Sequence, residues 1–347
     1  MPKSKTRSIA TGDLPIDRHD APSLIRKRDL QPIHNLKIVF RGIRNYFAGN
    51  VSGITRDESI AQILLRLLFC KIYDERDKKN NELVDFANRP DESPDALERR
   101  IAKLFAAVKR KRNDIFESGE SIGLDARHLT HIVAKIEQYA ILKADRDIIA
   151  DAFEELIGTT FRGNEGQFFT PRNVVQMMIE MLDPSSGERI IDPACGSGGF
   201  LAYISRHLLH HQARNYAIVG IDKDAFLSRL AKIYLSLIGE KNYRLYCENS
   251  LEQPARWNDD ARGTARLGSF DLILTNPPFG AKIPVIGKEL LRQYELGHRW
   301  IEKENCWRRT TELLDKQPPQ VLFIERCLQL LKPGGRAGIV LDRKSVV

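Results

Sequence analysis

Within these 347 residues, Asn276-Pro277-Pro278-Phe279 is the segment whose residue types and spacing speak most directly of chemistry. Two consecutive prolines fix the backbone and remove two N–H donors, which leaves carbonyl oxygens as acceptors. Asn276 adds a side-chain acceptor. An exocyclic amino group on a heterocyclic base is a poor nucleophile, because its lone pair is delocalised into the ring. Two acceptors, the Asn276 side chain and the Pro277 carbonyl, can hold both amino hydrogens and draw the nitrogen toward a tetrahedral shape. The lone pair then points at an electrophile placed in line with it. Phe279 offers a face on which a flipped base can stack. The plainer account of the same residues is a proline turn after a strand, with Phe279 in the core.

A second segment, Ile190-Ile191-Asp192-Pro193-Ala194-Cys195-Gly196-Ser197-Gly198-Gly199-Phe200, reads as a strand running into a glycine-rich turn and then a helix. Gly196, Gly198 and Gly199 let the backbone turn tightly and approach a ligand, with Ser197 among them. Asp222 ends the next apolar run, 26 residues after Gly196, where a carboxylate can accept from both ribose hydroxyls of an adenosine. The dinucleotide fingerprint G-x-G-x-x-G is not met, since Leu201 stands at its last position. Asp192, just before the glycines, repels a pyrophosphate but can hold an ammonium. That combination points to S-adenosylmethionine as cofactor rather than NAD. Upstream, Gln167-Phe168-Phe169-Thr170-Pro171-Arg172 precedes an amphipathic helix. Thr170 as N-cap and Pro171 at the first helical position account for two of these residues. Gln167 and the two aromatics remain to wall a pocket.

These groups must be positioned by something, and the chain around them alternates short apolar runs with amphipathic helices. Strands are expected at 189–192, 217–222, 243–247, 270–275 and 336–341, with helices at 200–209, 225–238 and 319–331. Such alternation implies an α/β fold with a doubly wound parallel sheet, whose ligands bind beyond the carboxyl ends of the strands. All the motifs above lie at strand ends. Residues 36–160 instead show helical spacing. Ile60, Ile63, Leu64, Leu67, Leu68 and Ile72 form one stripe behind a capping box at Thr55–Glu58, and a second stripe runs from Leu97 to Val108. Leu129 to Ala140 and Ile148 to Ile157 complete a small bundle. The expected organisation is a flexible basic arm (1–35), a helical domain (36–160) and a catalytic domain (161–347).

Composition sets outer limits. A net charge of +8 favours a polyanionic partner, without demanding one. The five cysteines are scattered and never spaced C-x-x-C, which argues against a disulfide framework or a zinc site and for a reducing, cytoplasmic setting. No metal is expected. His207, His210 and His211 read as a solvated helix face, and Lys109 to Arg112 as a charged helix end. Residues 280–317, with Trp300, Trp307, Arg308 and Arg309, read equally as buried tryptophans with surface arginines or as a loop near a flipped strand.

The ordered set Gln167–Arg172, Asp192–Phe200, Asp222 and Asn276–Phe279 resembles the N6-adenine DNA methyltransferases. Within them it is most similar to the modification subunit of type I restriction–modification systems, over roughly residues 40 to 341. The resemblance implies a Rossmann-like S-adenosylmethionine-dependent sheet preceded by an α-helical domain. It implies cofactor contacts from Gln167, Phe168, Phe169, Thr170, Pro171, Arg172, Asp192, Gly196, Ser197, Gly198, Gly199 and Asp222, with catalysis at Asn276, Pro277, Pro278 and Phe279. Asn249 and Ser250 match more loosely, near the cofactor's adenine. Double-stranded DNA, a specificity subunit and a restriction subunit are the implied partners. The sequence departs from the family in stopping at Asp342-Arg343-Lys344-Ser345-Val346-Val347, without the usual Leu-Pro after the fifth strand, which suggests a C-terminally truncated chain with an exposed edge strand. Two other readings share an N-P-P motif or the same sheet: a methyltransferase acting on protein glutamine or RNA guanine, and a partner-binding fragment without catalysis. The former mostly carry Tyr after the prolines, where this chain has Phe279.

Overall fold

The computed structural model describes residues 24–51, 57–160, 170–279 and 284–341. Its first part is helical: Leu36–Asn50 (α1), Asp57–Asp77 (α2), Pro94–Lys111 (α3), Ala126–Ile136 (α4) and Arg146–Thr160 (α5). Asn35, Ser93 and Asp125 cap α1, α3 and α4 through side-chain oxygens that accept backbone N–H groups. The expected capping box of α2 falls partly on Thr55 and Arg56, outside the described residues. Ile60, Ile63, Leu64, Leu67 and Leu68 of α2 are buried as the stripe requires. Tyr139 and Ala140, expected at the end of a helix, leave it. They form β2 (Tyr139–Ala140), paired in parallel with β1 (Gln31–Pro32). The cause lies in buried charge: Glu75 accepts the N–H groups of Ile141 and Leu142, and the Lys71 ammonium donates to the Glu137 carbonyl at 2.8 Å. These bonds turn the chain away from α4.

The second part alternates: Arg172–Leu182 (α6), Arg189–Asp192 (β3), Gly199–His210 (α7), Ala217–Asp222 (β4), Ala225–Leu237 (α8), Tyr243–Cys247 (β5), Asp259–Thr264 (α9) and Phe270–Thr275 (β6). An insertion follows, with Val285–Ile286 (β7), Lys288–Leu291 (α10), His298–Lys303 (β8), Cys306–Leu313 (β9) and Lys316–Gln317 (β10). Pro319–Leu330 (α11) and Leu331–Ile339 (β11) close it. Five strands form one parallel sheet in the order β11-β6-β3-β4-β5. The last strand starts earlier than expected, because Leu331 already pairs with Phe270 before the register shifts across Pro333-Gly334-Gly335.

Period-two alternation sorts the side chains of each strand onto two faces. Ile190, Ile218, Leu245, Leu272 and Leu274 pack with α6, α7, α8 and the helical part in one core. Ile191, Val219, Ile221 and Ile273 pack with α9 and α11 in another, and Phe270, at the start of β6, joins that second core out of step with the alternation. The chain leaves β3 outward to β4 and β5, then returns to β6 on the opposite side of β3. A crevice at such a reversal of strand order is where doubly wound sheets bind ligands.

Candidate active site

Asp192 and Thr275 end β3 and β6 at that reversal, and their side chains meet across it. The Thr275 hydroxyl, fully buried, donates to Asp192 Oδ1 at 2.6 Å. The same oxygen accepts the Ala194 N–H at 3.0 Å, which folds the chain into the glycine turn. Asp192 is 1% exposed. Burial, with Asp222 nearby, pushes its carboxyl up to about 7, although the two hydrogen bonds pull the other way. Asp222 accepts the N–H groups of Gly196 and Asp224, each at 2.9 Å, so it ties the end of β4 to the turn. Burial raises its pKa also.

The glycines serve different needs. Gly196 and Gly198 have φ of 52° and 86°, in the left-handed region that favours glycine. A Cβ on Gly198 would lie 3.0 Å from that of Ala231, so this glycine lets α7 approach α8. A Cβ on Gly196 or Gly199 would meet nothing within 4 Å, so there the turn faces open space. Ser197 and Gly198 are buried beside them. Ser250 donates to the Pro193 carbonyl at 2.5 Å, and the Asn249 side chain accepts the Leu251 N–H, fixing the loop after β5 against the same turn.

Asn276 follows Thr275 directly. Its Nδ2 donates to Thr170 Oγ1 at 2.8 Å, joining segments 106 residues apart. The hydroxyl of Thr170 therefore faces the site and does not cap the helix as expected. Pro171 is the N-cap, without a side-chain cap bond, and Arg172 is the first residue of α6. Arg172 pairs with Asp151 at 2.7 Å and with Glu154, so its charge faces α5. Pro277 is buried, Pro278 exposed and Phe279 half-buried. Gln167, Phe168 and Phe169 lie outside the described residues. The structure thus brings Thr170, Asp192, Gly196, Asp222 and Asn276 to one edge of the sheet. Thr275 was missed by sequence reasoning, although a polar residue closing the apolar run Leu272-Ile273-Leu274 is a legible signal.

Of the two readings left open for residues 280–317, the structure goes against buried tryptophans. Trp300 and Trp307 are 37% and 66% exposed, on the hairpin of β8 and β9, so they are not core residues. Lys109 donates to the carbonyls of Ser118 and Glu120, and Arg112 reaches Asp114 and Ser236, as a helix end tied to its surroundings. His207 lies 3.4 Å from Asp183. Among the described residues no cluster suited to a metal occurs, and no helix is long and apolar enough to cross a membrane.

The profile of the family described as N-6 DNA Methylase matches residues 144–346, more than half of the chain. The chain belongs to that family. A type I restriction enzyme EcoEI methylase subunit from Escherichia coli is 27% identical over 208 residues, 57% of this chain and 37% of that protein. The StySPI methylase subunit from Salmonella potsdam is 25% identical over 260 residues, 70% of this chain and 45% of its own length. The N-6 DNA methylase chain therefore spans under half the length of these curated relatives. Among solved structures, the type I restriction-modification system methyltransferase subunit from Streptococcus thermophilus superposes with a TM-score of 0.60 at 16% identity, over 88% of this chain and 74% of that one. At that identity the likeness concerns the fold, which is that of a methyltransferase subunit.

Proposed function

We propose that this chain is the methyl-transferring portion of a type I modification subunit, acting on the N6 amino group of adenine in DNA with S-adenosylmethionine as donor. The observation that supports the reading is the Thr275–Asp192 hydrogen bond, which ties the strand end before Asn276 to the carboxylate that precedes the glycine turn. The curated relatives named as type I methylase subunits support the substrate class. An arm (1–35), a helical domain (36–160) and a catalytic domain (161–347) are its proposed organisation, with DNA, a specificity subunit and a restriction subunit as partners.

The residues present suit the donor. The turn is open at Gly196 and Gly199, and two carboxylates crowd its mouth, each with a raised pKa that a cation would relieve. Asp192 would hold the ammonium. Asp222 would take the ribose hydroxyls, since each carboxylate oxygen can accept more than one hydrogen. Gly196, Ser197, Gly198, Gly199 and the Gln167–Pro171 segment would line the rest. Bound there, S-adenosylmethionine supplies a methyl group on a positively charged sulfur.

Asn276 acts on the other substrate. Thr170 accepts from Nδ2, which turns the nitrogen end of the amide toward Thr170 and makes Oδ1 the atom that would grip an amino hydrogen. The Pro277 carbonyl takes the second hydrogen, and Phe279 stacks on the base once it has left the duplex. Holding both hydrogens concentrates the lone pair on nitrogen. The methylated nitrogen is acidic and releases its proton without a strong base.

Transfer of labelled methyl to unmethylated duplex DNA, with the specificity subunit present, tests the reading. N6-methyladenine should be the labelled nucleoside, and Asn276→Ala should lower the rate about 100-fold or more. Label in protein or RNA but not DNA would overturn it.

A further inference from the structure

We propose that Thr275 is a positioning residue: its hydroxyl ties the carboxylate ending β3 to the strand that carries Asn276, so that the donor site and the amine-gripping site are held in one alignment. The inference rests on the functional reading above, and adds to it a residue that no motif contains.

Thr275 is wholly buried, at the end of a strand whose other buried residues, Phe270, Leu272, Ile273 and Leu274, are all apolar. Valine would fill the same space at an apolar strand position, so the hydroxyl is the feature in need of a reason. Its backbone is fixed on the other side, where Ile339 is its sheet partner and its carbonyl accepts the Val340 N–H at 3.0 Å. The threonine cannot shift without β11. The chain of bonds is therefore continuous: Thr170 to Asn276, one peptide bond to Thr275, then Asp192, Ala194 and the turn.

The groups that face Asp192 sharpen the effect. Asp222 from β4, Cys195 from the turn and Cys327 from α11 each interact with it electrostatically. Burial holds both thiols neutral in the working range: Cys327 is pushed up to about 12, and Cys195 well above its ordinary value. The Thr275 hydroxyl is thus one of two donors that favour the ionised form of Asp192, the Ala194 N–H being the other, against burial and against Asp222. A threonine that only filled space would leave that balance untouched.

Isothermal titration with S-adenosylmethionine between pH 6 and 9 tests the role without any DNA. Thr275→Val should weaken binding about fivefold at pH 7 and move the plateau of affinity to higher pH, while Thr275→Ser restores both. An equal loss at every pH, or a serine variant no better than valine, would overturn the inference. Should the valine variant fail to fold, Thr275→Cys keeps the volume with a weak donor, and its difference from Thr275→Ser carries the same test. Failure of the unaltered chain to bind the donor at any pH would instead sink the functional reading.

Discussion

At the scale of single residues, the candidate site places carboxylates where solvation is poor. Asp192, held up to about 7, is partly protonated at neutral pH until a cation arrives. The sign of the consequence follows. In the role proposed for Asp192, holding an ammonium needs the ionised form, so affinity for S-adenosylmethionine should climb as pH rises toward 7 and level off above it, with proton release on binding below the plateau. For the unliganded chain the linkage runs the other way. A carboxyl whose pKa is raised on folding keeps its proton longer in the folded state, so its stabilising contribution is fully present at low pH and fades as pH rises through 7. Asp192→Asn should therefore flatten the pH profile of binding at a low level, yet raise the melting temperature of the empty protein at pH 8. Calorimetry and thermal melts check the two halves separately. A variant that lost binding and stability together would contradict this account of Asp192.

At the scale of elements, the insertion between β6 and α11 must sit on the carboxyl edge of the sheet, because it leaves one strand end and returns to the helix that descends from it. A buried arginine anchors it. Arg326 on α11 is 1% exposed, and donates to the Tyr294 hydroxyl and the Gln293 side chain at 2.7 and 2.8 Å. It also reaches the Glu252 carbonyl in the loop after β5. Removing one partner of such a network leaves the others buried and unsatisfied. Arg326→Ala should cost about 3 kcal/mol of stability, measured by denaturant unfolding, and speed amide exchange across 284–317. This insertion was also the least legible element. Strands β3 to β6 fall at their expected boundaries, and β3, β4 and β6 are each a short apolar run closed by Asp192, Asp222 or Thr275. By contrast β8 and β9 bury almost nothing along their length, so no hydrophobic pattern marks them, and their tryptophans left a core and a loop reading equally open. The site was legible where a motif stands at a strand end. It was not where the partner lies far off in sequence: Thr170 reads as a local cap because the Asn276 amide that claims its hydroxyl is 106 residues away.

At the scale of the whole molecule, the helical part and the sheet share one core, and the site depends on both. Helix α5 packs on α8 through Phe153 and Tyr234, whose rings stack with centroids 4.2 Å apart, while the Tyr234 hydroxyl donates to Glu154 at 3.1 Å. Glu154 also holds Arg172 at the start of α6, two residues after the threonine that orients Asn276. Farther along the seam Glu120 joins Arg66 of α2 to Arg229 of α8. A disturbance at the seam should therefore reach the edge of the sheet that carries the candidate site by a short covalent and polar path. Phe153→Ala, which opens a cavity under Tyr234, should cost about 3–5 kcal/mol. Because one hydrophobic cluster runs from α1 to β6, unfolding should remain a single transition whose midpoint falls alike for probes in both parts. Tryptophan fluorescence reports the sheet part, where Trp257, Trp300 and Trp307 lie, and amide exchange reports α1 to α4. Two separated transitions, with the sheet part unmoved by the substitution, would show that the seam joins two independent bodies and that the helical part has no share in holding Asn276.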